Sequence, residues 1–173
     1  MTAKSGHLYW ITGLAGAGKS TIGWALYERI RATKPNVIFL EGDALRSVFG
    51  SLHGHAIEER RHLGLSYARL CKMLTDQGQD VVCATMSLFR EVQDFNRANI
   101  SRYHQIFIDC AMEELVLRDQ KGIYSKALRG EINDVIGVNL PFDRPGDCAL
   151  VIDNSCKDHL EYKVQRILDL TEN

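Results

Sequence analysis

Apolar residues along this chain gather in five short runs, separated by longer stretches in which they recur every three or four positions. The runs are LYWIT at 8–12, VIFLEG at 37–42, DVVCAT at 80–85, HQIFID at 104–109 and ALVID at 149–153. They are continuous rather than alternating, which suits strands buried on both faces. The spacing between them predicts helices over 19–33, 57–77, 89–101, 112–118 and 156–171. Strand and helix take turns, so the pattern predicts an α/β fold: a three-layer α/β/α domain around a five-stranded parallel sheet. Residues 119–147, DQKGIYSKALRGEINDVIGVNLPFDRPGD, break the rhythm. They are polar and include Pro141 and Pro145, two of the chain's three prolines. A long segment of this kind in a compact domain is a candidate mobile lid; a solvated surface loop is the plainer reading. No repeat, low-complexity tract or linker interrupts residues 1–173, so one domain is expected.

Composition narrows the partners. The 173 residues are 45% hydrophobic and 25% charged, with a formal net charge of −1. That balance gives no reason to expect nucleic acid or an anionic membrane, so any anion must be held by a local site. No apolar run approaches the roughly 20 residues that span a bilayer. The start, MTAKSGHLYW, lacks the apolar segment of a signal peptide, and a cytoplasmic location follows as the default. The cysteines, at 71, 83, 110, 148 and 156, are scattered, odd in number and without a CxxC pair. This argues against a zinc site and a disulfide framework. Cys83 and Cys110 sit in apolar runs and are expected to be buried small hydrophobes.

The chemistry begins after the first run. GLAGAGKS fits G-x-x-x-x-G-K-[ST] between a predicted strand and a predicted helix. In such a loop Gly13, Ala15, Gly16, Ala17 and Gly18 are small enough for backbone N–H groups to turn around phosphate oxygens. The following helix, with Ser20 and Thr21 in its first turn, adds its partial positive charge. Lys19 would reach the β- and γ-phosphates, and the Ser20 hydroxyl would bind Mg²⁺. The sequence therefore predicts a P-loop NTPase fold that uses ATP or GTP. The loop alone does not choose between a switch, a motor and a small-molecule kinase.

Other candidates sit where strands end, beside the crevice of an open α/β sheet. Asp43, in EGDALR, could accept a substrate proton and touch the Mg²⁺ shell, or cap a helix. Arg46 would face the same way one helical turn on. Ser87 and Arg90 follow the third predicted strand, with Arg97 seven residues later; Arg60 and Arg61 lie on the long helix. Any one arginine is most simply a surface residue, but several around one crevice suit an anionic acceptor.

Together these strings resemble the adenylylsulfate kinase family, which phosphorylates the ribose 3′-hydroxyl of adenosine 5′-phosphosulfate. The resemblance runs nearly the length of the chain: GLAGAGKST, EGDALR, SLFR, the lid string RDQKGIYSKALRGEI from Arg118 to Ile132, and GVNLPFDRP. It implies ATP and Mg²⁺ as cofactors, with Ser20 and Asp43 on the metal and a small nucleotide as substrate. It implies catalytic roles for Asp43, Lys19 and Lys121. Arg46, Arg60 and Arg90 would bind the phosphate-bearing end of the acceptor, in company with Ser87, Leu88 and Phe89. Lys121 and Lys126 would neutralise charge on the lid, and Arg118 and Asp119 would neighbour the ATP base. Relatives often form dimers, which leaves a homodimer open.

The departures concern the acceptor's base. The family holds adenine between two phenylalanines; here His55 and Val135, followed by Ile136, occupy those strings, and Leu63 replaces a substrate-touching asparagine. A stacked ring is worth roughly 1–3 kcal/mol, so the change points away from adenine and toward a smaller base. The strings TMSLF and FNRAN look like those of a branch of bacterial capsule enzymes that phosphorylates cytidine diphosphoramidate. That acceptor ranks first and adenylylsulfate second. A nucleotide-binding module without catalysis is disfavoured because Lys19, Asp43 and Lys121 are all present. A hydrolytic switch has no need of the acceptor-side arginines.

Overall fold

A computed structural model describes residues 4–49 and 56–172. Five parallel strands form one sheet: β1 (Leu8–Thr12), β2 (Val37–Glu41), β3 (Asp80–Ala84), β4 (Tyr103–Asp109) and β5 (Leu150–Asp153), in the order β2-β3-β1-β4-β5. The helices are α1 (Lys19–Arg31), α2 (Gly42–Phe49), α3 (Ile57–Asp76), α4 (Arg90–Asn99), α5 (Met112–Arg118), α6 (Ile123–Leu128) and α7 (Leu160–Glu172).

Alternation along the central strand builds two cores. Tyr9 and Ile11 pack with Ile22, Leu26 and Ile30 of α1 and with Val164 and Ile167 of α7. Leu8 and Trp10 point to the other face, against Leu63, Tyr67, Ala68 and Cys71 of α3 and Val92 of α4. Buried positions at three- and four-residue spacing on α1 and α3 follow from one apolar stripe meeting the sheet. α1 comes close because Gly23 has no side chain; a Cβ there would lie 3.0 Å from the Phe39 ring and 3.2 Å from Ala84.

β1 leads into α1 on one face, while its neighbour β3 leads into α4 on the other. A crevice therefore opens beyond the C-terminal ends of these two strands. The expected α/β/α architecture and the five-stranded parallel sheet are both present. Two expectations need correction. The strands were expected to be buried on both faces, but β2 and β5 are half-exposed because the strand order places them at the edges. The pattern places no predicted helix within 119–147, yet this stretch holds a 3-10 turn at Gln120–Gly122 followed by α6. The Asp119 carboxylate makes this local fold, accepting from the amides of Tyr124 at 2.8 Å and Ser125 at 3.3 Å. A hydrogen bond with the Ser125 side chain, and then these amide bonds, hold its carboxyl below the usual range. Among the described residues no helix is long and apolar enough to cross a membrane.

Candidate active site

The loop between β1 and α1 is anchored through its carbonyls. Lys19 Nζ donates to the Leu14 carbonyl at 2.7 Å and the Tyr124 hydroxyl to that of Ala15 at 2.7 Å. Arg118 Nη1 donates to the Gly16 carbonyl at 3.2 Å, and Asn154 Nδ2 to that of Ala17 at 2.7 Å. In a planar trans peptide the N–H points opposite the C=O. Holding the carbonyls of Ala15 and Ala17 outward therefore turns the amides of Gly16 and Gly18 inward. Those at the start of α1 add to them, because a helix's first N–H groups have no intrahelical partner. Gly18 adopts φ 104°, a left-handed conformation that suits glycine. Gly13 backs onto the sheet: a Cβ there would meet the Ile108 carbonyl at 2.5 Å.

A cavity of about 510 Å³ opens from this loop across the crevice. On the loop side it is lined by Ala15, Gly16, Gly18, Lys19, Ser20 and Thr21. On the far side it meets Asp43, Arg46, Arg60, Ser87, Phe89, Lys121 and Ile136. Most of the residues singled out from the sequence thus share one chamber although they come from six segments. Half-buried Lys19 has its ammonium pKa lowered to about 8, by burial first and against the pull of Asp43. Asp43 opens α2 and forms an ion pair with Lys121 at 2.9 Å; the side chains are 74% and 69% exposed. This contact raises the Lys121 pKa. Burial, and then the nearby Arg46, lower the Arg60 guanidinium, which donates to the Asp134 carbonyl at 3.0 Å.

Several predicted residues fall elsewhere. Val135 was placed against the base, but it packs in the core, and Ile136 reaches the cavity instead. Three amides, of Val138, Asn139 and Leu140, converge on the Val135 carbonyl, and this tight turn directs its side chain inward. Leu88 is buried with its carbonyl accepting from Asp143 N, so it sits behind the wall. Arg90 lines a neighbouring groove, its amide held by Asp143 Oδ2 at 2.9 Å. Gly13 and Ala17 do not line the cavity. Arg118 is a brace rather than an open contact: its side chain is 3% exposed and its donors go to Glu114 and three carbonyls. Arg61 pairs with Glu58 and Glu91, Arg97 pairs with Asp94, and Lys126 is exposed away from the cavity. His55 lies outside the described residues.

The chamber also contains residues the motifs did not point to. Tyr67 lines it beside Leu63, one helical turn away on α3. Burial pushes its phenol up to about 12. Glu41 ends β2 and Asn154 directly follows β5, so both could have been found by the strand-end rule applied to Asp43. No cluster of three His, Cys, Asp or Glu capable of holding a metal occurs among the described residues. Magnesium does not need one, since it commonly binds through one or two protein oxygens plus substrate phosphates and water. Ser20, Glu41 and Asp43 supply oxygens of that kind at the cavity, so the donor set fits the ion.

This sheet order, with a G-x-x-x-x-G-K-S loop cradled at the crevice, defines a P-loop nucleotide-binding protein. The adenylylsulphate kinase family profile matches residues 5–153. The cytidine diphosphoramidate kinase of Campylobacter jejuni is 46% identical over 162 residues, 94% of each chain. The adenylyl-sulfate kinase of Clostridium kluyveri is 33% identical across 98% of this chain and 85% of its own. The APS kinase of Mycobacterium tuberculosis, solved in complex with AMPPNP and APS, superposes with a TM-score of 0.86 at 28% identity, covering 98% of this chain and 99% of that one. The chain belongs to the adenylylsulphate kinase family and is a phosphotransferase acting on a nucleotide hydroxyl.

Proposed function

We propose that this protein transfers the γ-phosphoryl group of ATP to the ribose 3′-hydroxyl of cytidine diphosphoramidate, a step in building a phosphoramidate-modified capsule. The observation that carries the choice is the 46% identity over 94% of both chains to a cytidine diphosphoramidate kinase, against 33% to an adenylyl-sulfate kinase. Val135 and Ile136 support the same choice, since neither puts a stacking ring where the family's lid carries a phenylalanine. Adenylylsulfate is the second reading, favoured by the family profile and by the APS-bound relative.

In this reading the loop amides and Lys19 bind the donor's phosphates, and Arg46 and Arg60 orient the acceptor's diphosphate end. Asp43 takes the proton of the 3′-hydroxyl as its oxygen bonds to the γ-phosphorus, while the bond to the β,γ-bridging oxygen breaks and ADP leaves. Lys121 leaves Asp43 for the transferring group, which frees the carboxylate to act as base. Ser20 and Asp43 would hold magnesium, which would supply charge neutralisation on the phosphates. A panel of cytidine diphosphoramidate, adenylylsulfate and CDP, with ATP consumption measured, tests the acceptor. Strong turnover of adenylylsulfate alone would sink the first choice.

A further inference from the structure

The described part of α7 carries one buried lysine that the phosphoryl-transfer scheme leaves without a role. Lys163 is 8% exposed, and among the described residues no carboxylate pairs with its ammonium. Its Nζ donates instead to two neutral oxygens, Asn154 Oδ1 at 2.7 Å and the Cys156 carbonyl at 2.5 Å. A lysine has donors and no acceptor, so it dictates which end of the Asn154 amide it meets. With Oδ1 turned to Lys163, Nδ2 must face the other way, onto the Ala17 carbonyl. Asn154 also lies flat against the loop: a Cβ on Gly18 would fall 2.3 Å from its Nδ2. The Ala17–Gly18 peptide is thereby pinned with its carbonyl outward and the Gly18 N–H inward, toward the cavity.

We infer that Lys163 is a positioning residue for the donor half of the site: through Asn154 it fixes the orientation of the Gly18 amide that meets the phosphates of ATP. This rests only on the donor side of the proposed function and is indifferent to the acceptor. A buried charge with no carboxylate in contact is costly unless hydrogen bonds compensate it; Asp153 acts on Lys163 only at longer range, and the hydrogen-bond compensation runs directly into the phosphate loop.

The test is AMPPNP binding by titration calorimetry with no acceptor present, on Lys163→Met and Lys163→Gln. Both variants remove the charge; only glutamine keeps an N–H that can meet Asn154 Oδ1. Methionine should weaken AMPPNP binding about tenfold, the scale of a lost charged hydrogen bond. Glutamine should stay within about threefold of the parent, at matched thermal stability. Equal affinity in all three proteins, or glutamine as weak as methionine, would overturn the inference. If Lys163→Met does not fold, Asn154→Ser decides: its shorter side chain cannot reach Ala17, and unchanged AMPPNP binding would equally overturn it. A parent protein that does not bind AMPPNP would instead overturn the donor-site reading and this inference with it.

Discussion

Replacing Arg118 with methionine should destabilise the protein by about 4 kcal/mol. The guanidinium spans four acceptors from one buried position: Glu114 at 2.8 Å, Gly16 O at 3.2 Å, Asn154 O at 2.7 Å and Ser155 O at 3.1 Å. Nη2 serves both Asn154 and Ser155, so these two count as one donor's worth. A hydrogen bond to a charged group contributes about 1.5–3 kcal/mol, which gives roughly 3–6 kcal/mol for two carbonyl-directed donors. The Glu114 carboxylate is 32% exposed and can turn to water, so its share is small. Methionine fills much of the space and brings the loss toward the middle of that range. For a domain of this size 1 kcal/mol shifts Tm by about 2–4 °C, so the expected fall is about 8–16 °C. Differential scanning calorimetry without nucleotide measures it, and steady-state kinetics gives the KM for ATP alongside. A Tm within about 3 °C of the parent, together with a raised KM for ATP, would refute the brace and restore Arg118 as an open donor contact.

Asp43→Asn keeps the shape but removes the proposed base, and kcat should fall by about 10²–10⁴; near-normal single-turnover rates would remove the assignment. Lys19 titrates near 8 in the nucleotide-free protein against an ordinary 10.5. AMPPNP affinity should therefore weaken up to about tenfold from pH 7 to 9, and a flat profile would contradict the contact. The same shift means that the unfolded chain binds more protons between pH 8 and 10.5, so this group's contribution to stability rises with pH across that window. At the opposite end of the sheet, His7 Nδ1 meets His104 Nε2 at 2.9 Å. Burial, with His7 next, lowers His104 from 6.5 to about 4. Its folded pKa lies below the unfolded one, so stability should be lost as pH falls from 6.5 toward 4. Thermal melts should show a shallower loss for His104→Gln, and identical pH profiles would rule this group out.

The sheet and the donor loop were legible because their signals are local. Continuous apolar runs specify strands, though not which of them lie at the sheet edges, and a glycine-rich turn with Lys19 and Ser20 specifies a phosphate loop, whatever surrounds it. Residues 119–147 were harder: α6 is six residues long and is started by the Asp119 side chain, a signal too short for periodicity to register.

The sequence by itself determined the α/β order of elements, the phosphate loop, and the acidic and basic residues that strand ends carry to the crevice. Only the tertiary structure decided which of them meet. It seated Ile136 rather than Val135 on the cavity, drew Arg118 inward as a brace, sent Arg90 to a neighbouring groove, and brought Tyr67 and Asn154 into the chamber. The reason is geometric. A motif fixes what a residue can do, but side-chain direction depends on turns closed by bonds across long sequence separations, as between Asn154 and Ala17, and such bonds leave no local pattern.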